Sequence, residues 1–96
     1  MVKYLKNENL KDVITDGIWI VDFYADWCGP CKMLGPVLEQ LENNVLKVNV
    51  DSHEDLAKEF GVMSIPTICF FKGGELKHRK IGFINKTEIE DIINKL

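Results

Sequence analysis

The sequence has no long hydrophobic run and no block of like charge. Its 12 Lys and Arg residues against 15 Asp and Glu residues give a net charge of −3, with neither sign concentrated in one stretch. No apolar run approaches the roughly 18 residues that span a membrane, and the N-terminal segment lacks the apolar stretch of a signal peptide. We therefore expect no membrane or nucleic-acid partner, and a cytoplasmic, reducing location.

Cysteine is scarce, and linkers, repeats and low-complexity segments are missing. Cys28, Cys31 and Cys69 are odd in number and too few for the disulfide scaffold of a small secreted protein. A chain of 96 residues, of which 46% are hydrophobic, supplies one core and has no room for a second. The sequence thus predicts a single domain over residues 1–96, which we expect to be a monomer.

Short apolar runs alternate with helical patterns, which is typical of an α/β domain. The predicted strands are residues 2–5, 18–25, 45–50, 67–72 and 75–82. The predicted helices are residues 7–15, residues 28–43 with a kink at Pro36, a segment with a capping box from Ser52 to Asp55, and a last segment capped by Asn85 with Glu88. The predicted helices that connect the first strands favour parallel pairing of those strands. Gly73-Gly74 is a tight-turn signal, which predicts that the last two strands form an antiparallel hairpin. The predicted order is β-α-β-α-β-α-β-β-α around a mixed sheet.

One predicted strand, residues 18–25, is apolar on both faces except at Asp22. A strand of this kind is typical of the centre of a sheet that is covered by helices on both sides. Asp22 is therefore expected to be a buried carboxylate.

Cys28 and Cys31 have the spacing of a redox pair. The sequence Trp27-Cys28-Gly29-Pro30-Cys31 follows a buried strand and opens a helical pattern. Residues three apart in a first helical turn lie about 5 to 6 Å apart, within reach of a disulfide. Unpaired N–H groups and the helix dipole stabilise a thiolate at Cys28. We expect Cys28 to be the exposed nucleophile and Cys31 the shielded resolving thiol, with Pro30 stiffening the loop.

The same spacing also occurs in half of a zinc site, which needs two more Cys or His ligands. Only Cys69, His53 and His78 remain, and none of them forms a second close pair. We therefore expect no metal. Cys69 lies in the middle of a predicted strand and is expected to be a small buried hydrophobe.

Five segments together resemble the thioredoxin family. They are VDFYADWCGPCK (residues 21–32), KVNVD (47–51), IPT (65–67), FKGGE (71–75) and Gly82. The match runs in order over essentially the whole chain. It implies the thioredoxin fold, an α/β fold with a central mixed sheet of four to five strands flanked by four helices. It also implies a protein-disulfide reductase that acts through Cys28 and Cys31 and maintains cell redox homeostasis. Tyr24 departs from the family, which usually has tryptophan there.

The resemblance assigns roles to further residues. Asp22 becomes the acid that accepts the proton of Cys31, and Lys47 the lysine that pairs with it. A cis bond between Ile65 and Pro66 is implied, in a loop beside the cysteines. The implied client-contact face consists of Trp27, Gly29, Pro30, Ile65, Pro66 and Gly82. Two simpler interpretations stay open: a non-catalytic core aspartate, and a lysine that reaches from its strand end to solvent.

Electrons must come from elsewhere, because the chain has no G-x-G-x-x-G fingerprint and no length for a nucleotide-binding domain. We expect no bound cofactor beyond the redox-active Cys28–Cys31 disulfide. The expected partners are disulfide-bearing client proteins and a thioredoxin reductase supplied by NADPH or ferredoxin. Two other functions stay open: a disulfide oxidant or isomerase, and a binding or assembly module in which the cysteines are incidental.

Overall fold

The computed structural model describes all 96 residues and contains five strands and four helices. In chain order they are β1 (Val2–Tyr4), α1 (Leu10–Val13), β2 (Ile18–Tyr24), α2 (Gly29–Glu39), β3 (Asn44–Asn49), α3 (Glu54–Glu59), β4 (Thr67–Lys72), β5 (Glu75–Ile81) and α4 (Lys86–Asn94). This order confirms the predicted β-α-β-α-β-α-β-β-α arrangement.

All five strands form one mixed sheet in the order β1-β3-β2-β4-β5. The first three are parallel, while β4 runs antiparallel to both β2 and β5. Gly73 and Gly74 connect the hairpin with φ values of 60° and 81°, which suit a tight turn built from glycine. Strand β2 lies at the centre, and its five inner residues are all buried. This explains why its sequence is apolar on both faces.

The sheet separates two hydrophobic clusters. One contains Val21, Phe23, Leu46 and Cys69 from the sheet and Leu10 from α1, with Leu56 and Phe60 packed against it from α3 and its C-terminal end. The other contains Ile20, Val45, Ile68 and Phe70, with Leu34 and Leu38 from α2 and Ile89 from α4. Helices α1 and α3 therefore cover one face, and α2 and α4 cover the other.

Strand β5 is an edge of the sheet, as the run of charged residues in it predicts. Its first four residues are exposed, including Lys77 and His78. Charged side chains on an edge strand discourage pairing with another chain.

Two helices are shorter than predicted. Helix α1 is a single turn capped by Asn9, whose side chain accepts from the backbone N–H of Lys11. Helix α2 continues through Pro36 but ends at Glu39 rather than residue 43. It is the longest helix, with 11 residues, and none of the four is long and apolar enough to cross a membrane.

The predicted capping box at Ser52 is wrong. The N-cap of α3 is His53, with no side-chain hydrogen bond at the cap. The reason lies in Asn49, whose side-chain oxygen accepts from the N–H groups of Asp51 and Ser52 at 2.8 and 3.3 Å. These bonds hold Ser52 in a turn, so the helix begins one residue later.

The last helix follows its prediction. The side chain of Asn85 accepts from the N–H of Glu88 at 2.9 Å. Ile84 and Ile89 are buried in the same cluster on either side of this cap, an arrangement that fits the predicted hydrophobic staple. Ile92, Ile93 and Leu96 continue the apolar stripe.

Replacing Ile89 should loosen α4 from the sheet. Its side chain is fully buried, so Ile89→Ala is expected to lower the free energy of unfolding by about 2 to 5 kcal/mol. The neighbouring Glu90 is exposed, and Glu90→Ala should change it by less than about 0.5 kcal/mol. Urea unfolding measures both, and equal effects of the two substitutions would contradict the docking of α4 through Ile89.

Candidate active site

Cys28 and Cys31 lie where β2 passes into α2. Cys28 is the N-cap of the helix and Cys31 is in its first turn, with 5.3 Å between their Cα atoms. The two sulfurs form a disulfide. The predicted local geometry is therefore present: a pair that closes within a single helical turn.

One backbone donor of α2 points toward the sulfur of Cys28. The N–H of Cys31 donates to Cys28 Sγ at 3.3 Å. Pro30 lies in the first turn and supplies no N–H of its own. Because donors and the positive end of the helix dipole favour negative charge, this position stabilises a thiolate once the disulfide opens.

The two sulfurs differ little in exposure, in contrast to the prediction. Cys28 is 5% exposed and Cys31 2% exposed. Both cysteines pack with Ala25 in a small cluster flanked by Ile65 and Tyr24. The neighbouring loop thus shields Cys28 in the disulfide form more than its position at a helix start suggests.

The loop before β4 lies against Cys28. The carbonyl oxygen of Ile65 is 3.8 Å from Cys28 Sγ. The Ile65–Pro66 peptide bond is cis, as the family resemblance implies. The carbonyl of Pro66 accepts from the N–H of Gly82, at 2.8 Å, and Gly82 has a φ of 91° that glycine adopts readily. Pro66 and Gly82 are thereby joined beside the cysteines.

The surface around the pair is apolar and partly open. Trp27 is 69% exposed, and Gly29 and Pro30 are exposed beside it. Three more exposed apolar side chains, which the sequence reasoning did not single out, are close in sequence to Ile65 and Gly82: Met63, Ile81 and Phe83. Such a concentration of exposed apolar groups is typical of a surface that binds other proteins.

Asp22 is fully buried in β2, as predicted. Neither of its carboxylate oxygens has a hydrogen-bond partner. The nearest cation is Lys47, whose Nζ is 3.6 Å from Asp22 Oδ2, an ion pair too long for a hydrogen bond. Burial raises the pKa of Asp22 from 3.8 to about 6, and the charge of Lys47 opposes that rise only in part.

A cleft of about 230 Å³ connects Lys47 with Cys31. Tyr4, Tyr24 and Asp26 also line it. A cleft of this size has room for water beside Cys31 and Lys47, and Asp22 lies buried behind Lys47.

The residues that a zinc site would need are separated. Cys69 is fully buried in the cluster on the α1 and α3 face, whereas Cys28 and Cys31 begin a helix on the other face. The ring nitrogens of His53 face the backbone carbonyls of Lys6 and Asn49. The chain contains no group of three or more His, Cys, Asp or Glu residues that could hold a metal ion.

Comparison with known proteins agrees with this geometry. Residues 1–95 match the Thioredoxin family. The chain belongs to the thioredoxin family. It is 45% identical to a thioredoxin of Chlamydia caviae, over 99% of this chain and 98% of that protein, and 40% identical to one of Bacillus subtilis, over 84% of each. A mutant thioredoxin of Halobacterium salinarum superposes with a TM-score of 0.90 at 36% identity, covering 98% of this chain and 88% of that one.

Family membership and geometry agree on the activity. The match covers both cysteines, and these two residues form a disulfide within one helical turn. The protein is a protein-disulfide reductase of the thioredoxin family that acts by dithiol-disulfide exchange through Cys28 and Cys31. The five-stranded mixed sheet with four helices is the thioredoxin fold.

Asp51 is a site residue that the sequence reasoning missed. Its Oδ2 accepts from Trp27 Nε1 at 3.0 Å and so restrains the exposed indole. Trp27 follows β2 and Asp51 follows β3, two neighbouring parallel strands. Loops after neighbouring parallel strands meet at one edge of the sheet, and this signal was available in the sequence.

The burial of Asp22 predicts a dependence of stability on pH. The unfolded chain releases this proton near pH 3.8 and the folded chain near pH 6, so stability falls as pH rises between these values and is constant above them. The loss at neutral pH is about 3 kcal/mol. Asp22→Asn should therefore raise the free energy of unfolding at pH 7.5 by about 1 to 3 kcal/mol, since loss of the Lys47 pair offsets part of the gain.

The gain should shrink steadily as pH falls from 6 toward 3.5, because the folded state keeps Asp22 protonated and the unfolded chain becomes largely protonated as well. Asp26→Asn is the matched control, because Asp26 is exposed, and it should have an effect below about 0.5 kcal/mol. Urea unfolding from pH 3.5 to 8 makes the comparison. A destabilising effect of Asp22→Asn at pH 7.5 would contradict a net cost of the buried charge.

Proposed function

We propose that Cys28 is the nucleophile, Cys31 the resolving thiol and Asp22 the proton acceptor of the exchange reaction. The observation that carries these roles is the position of Cys28 at the N-cap of α2, where its sulfur accepts the N–H of Cys31. Asp22 supports the assignment as a buried carboxylate whose pKa of about 6 lies close to neutral pH.

Exchange proceeds in two displacements. The Cys28 thiolate attacks a client disulfide, which forms a mixed disulfide and releases one client sulfur as a thiolate. The Cys31 proton passes to Asp22, and the Cys31 thiolate then attacks Cys28 Sγ. This step forms the Cys28–Cys31 bond and releases the second client thiolate. The client gains two electrons, and the protein leaves as the disulfide.

Lys47 tunes the proton acceptor. Without a nearby cation, a carboxylate as deeply buried as Asp22 holds its proton to higher pH and cannot take one from Cys31 at neutral pH. The ammonium at 3.6 Å stabilises the ionised carboxylate. We propose that the proton passes through the cleft that Cys31 and Lys47 share.

Clients are proposed to bind at the apolar face formed by Trp27, Gly29, Pro30, Ile65, Pro66 and Gly82. An extended client segment would lie along the loop at Ile65, whose carbonyl is 3.8 Å from Cys28 Sγ, and would pair with the adjacent backbone as an added strand. Few side-chain donors and acceptors line this face, so it suits many sequences.

The remaining parts of the cycle lie outside the chain. We propose that Cys28 and Cys31 are its only redox group, with no bound cofactor. We further propose that it works as a cytoplasmic monomer in electron transport, and that a thioredoxin reductase returns it to the dithiol with electrons from NADPH or ferredoxin.

Substitution of each cysteine separates the roles. Cys28→Ser should abolish reduction of insulin disulfides, because no thiolate remains to attack. Cys31→Ser should also stop turnover but accumulate a mixed disulfide through Cys28, detectable by mass spectrometry as an adduct that dithiothreitol releases. Cys69→Ser, on the opposite face of the sheet, is the control and should retain full turnover. Accumulation of the adduct through Cys31 in Cys28→Ser would reverse the assignment, and turnover by Cys28→Ser would favour a module with incidental cysteines.

Reconstitution with two purified reductases tests the electron donor. Reduction of insulin disulfides is measured with the chain, NADPH and an NADPH-dependent thioredoxin reductase, beside a ferredoxin-dependent enzyme with reduced ferredoxin. One pair should sustain many turnovers per molecule of protein, and Cys28→Ser should sustain none. Failure of both pairs would contradict the proposed reductase partner.

A further inference from the structure

The ammonium of Lys47 lies between one carboxylate and two aromatic rings. Its Nζ is 3.6 Å from Asp22 Oδ2, 4.5 Å from the ring centre of Tyr24 and 5.6 Å from that of Tyr4. Both ring distances are within the range of cation–π attraction. The two rings also contact each other edge to face, with centroids 6.2 Å apart and planes at 79°.

Sheet register brings these four residues together. Lys47 on β3 is aligned with Tyr4 on β1 and with Asp22 on β2, so the three side chains form a row across the sheet. Tyr24 is two residues beyond Asp22 on the same strand and therefore points to the same face. Side chains from two strands, β1 and β2, thus surround the ammonium that β3 carries.

We propose that Tyr4 and Tyr24 are positioning residues that hold the Lys47 ammonium beside Asp22 and so set the pH range in which Asp22 takes the proton of Cys31. This inference rests on the proposed role of Asp22 as proton acceptor. The two rings act through Lys47 and touch neither sulfur in the reaction.

The Lys47 ammonium needs these rings to keep it in position, because a lysine side chain is flexible. Its four-carbon stem reaches readily for water, and Lys47 borders the cleft that opens beside Cys31. Its contact with Asp22 is longer than a hydrogen bond, so that contact alone does not orient the ammonium. The two rings lie against the ammonium and favour its position near the carboxylate.

Lys47 is the only cation that forms an ion pair with Asp22. Ile68 on β4 is the apolar residue aligned with Asp22 on the other side, and Lys80 beyond it on β5 pairs with Glu88 at 3.1 Å. The remaining charged or titratable groups of the cleft are Asp26 and Lys32, both exposed, Cys31 on α2, and the two tyrosines. The pH behaviour of Asp22 therefore depends chiefly on where the Lys47 ammonium lies.

The test is the titration of the Asp22 carboxyl carbon, followed by NMR in the oxidised protein. Tyr24→Leu removes the closer ring, and it should let Lys47 move toward solvent and raise the proton affinity of Asp22 about threefold. Tyr24→Phe keeps the ring and should titrate like the native protein. Tyr4→Leu should act in the same direction but less, because its ring is farther from the ammonium.

A double-mutant cycle with Lys47→Met separates positioning from packing. Lys47→Met alone should raise the proton affinity more than Tyr24→Leu does, and adding Tyr24→Leu to it should change nothing further. Phe60→Leu is the matched aromatic control, since Phe60 packs on the opposite face of the sheet, and it should leave the titration unchanged.

Three outcomes would overturn the inference: an unchanged titration in both tyrosine-to-leucine variants, a shift toward lower pH, or a Tyr24→Leu shift that persists beside Lys47→Met. The titration needs no client and no turnover, so it is independent of the reductase assay. Suppose that Asp22 titrates as expected in the tyrosine variants but the Cys31→Ser variant traps no adduct. That result would contradict the proposed function and leave the positioning role of Tyr4 and Tyr24 intact.

Discussion

Strand β2 is buried on both faces, and this constraint positions every part of the active site. Its C-terminal end leads through a short loop to Cys28 at the N-cap of α2. Its antiparallel neighbour β4 begins just after the Ile65–Pro66 loop, which brings that loop against Cys28. Its parallel neighbour β3 carries Lys47 opposite Asp22. A central strand with helices on both faces thus positions the Cys28 sulfur, the Asp22 carboxylate and the Ile65–Pro66 loop.

Burial of Asp22 opposes stability at neutral pH. The carboxylate loses more free energy from the loss of solvation than it gains from the attraction of Lys47, and neither of its oxygens has a hydrogen bond. The ionised Asp22 therefore carries a cost in stability that an apolar residue at this position would not have. The same imbalance brings the proton affinity of the carboxylate close to neutral pH, where a proton acceptor for a thiol is useful. In the proposed role of Asp22 as proton acceptor, stability and reactivity place opposite demands on this residue, which is common at active sites.

The two faces of the sheet divide the cysteines by chemistry. Cys28 and Cys31 lie at the beginning of a helix beside exposed apolar residues, and Cys31 lines a cleft of about 230 Å³. Cys69 lies within the opposite cluster, where burial raises the pKa of its thiol and keeps it protonated. Three identical side chains thus comprise an exchanging pair and a packing residue, and the difference is set by helix termini and solvent access.

Local patterns in the sequence determined the order of elements, the central position of β2, the burial of Asp22 and the position of the Cys28–Cys31 pair at a helix start. Each depends on residues close together in the chain, where periodicity, turn glycines and a four-residue spacing carry enough information. The late start of α3 is also local, because it follows from bonds between the Asn49 side chain and residues two and three positions later. Only the tertiary structure decided the small difference in exposure between the two sulfurs. It also decided the bond from Trp27 to Asp51 and the rings of Tyr4 and Tyr24 around Lys47. These contacts join residues 20 or more positions apart or depend on strand register, and no local pattern specifies which side chains meet when strands pair.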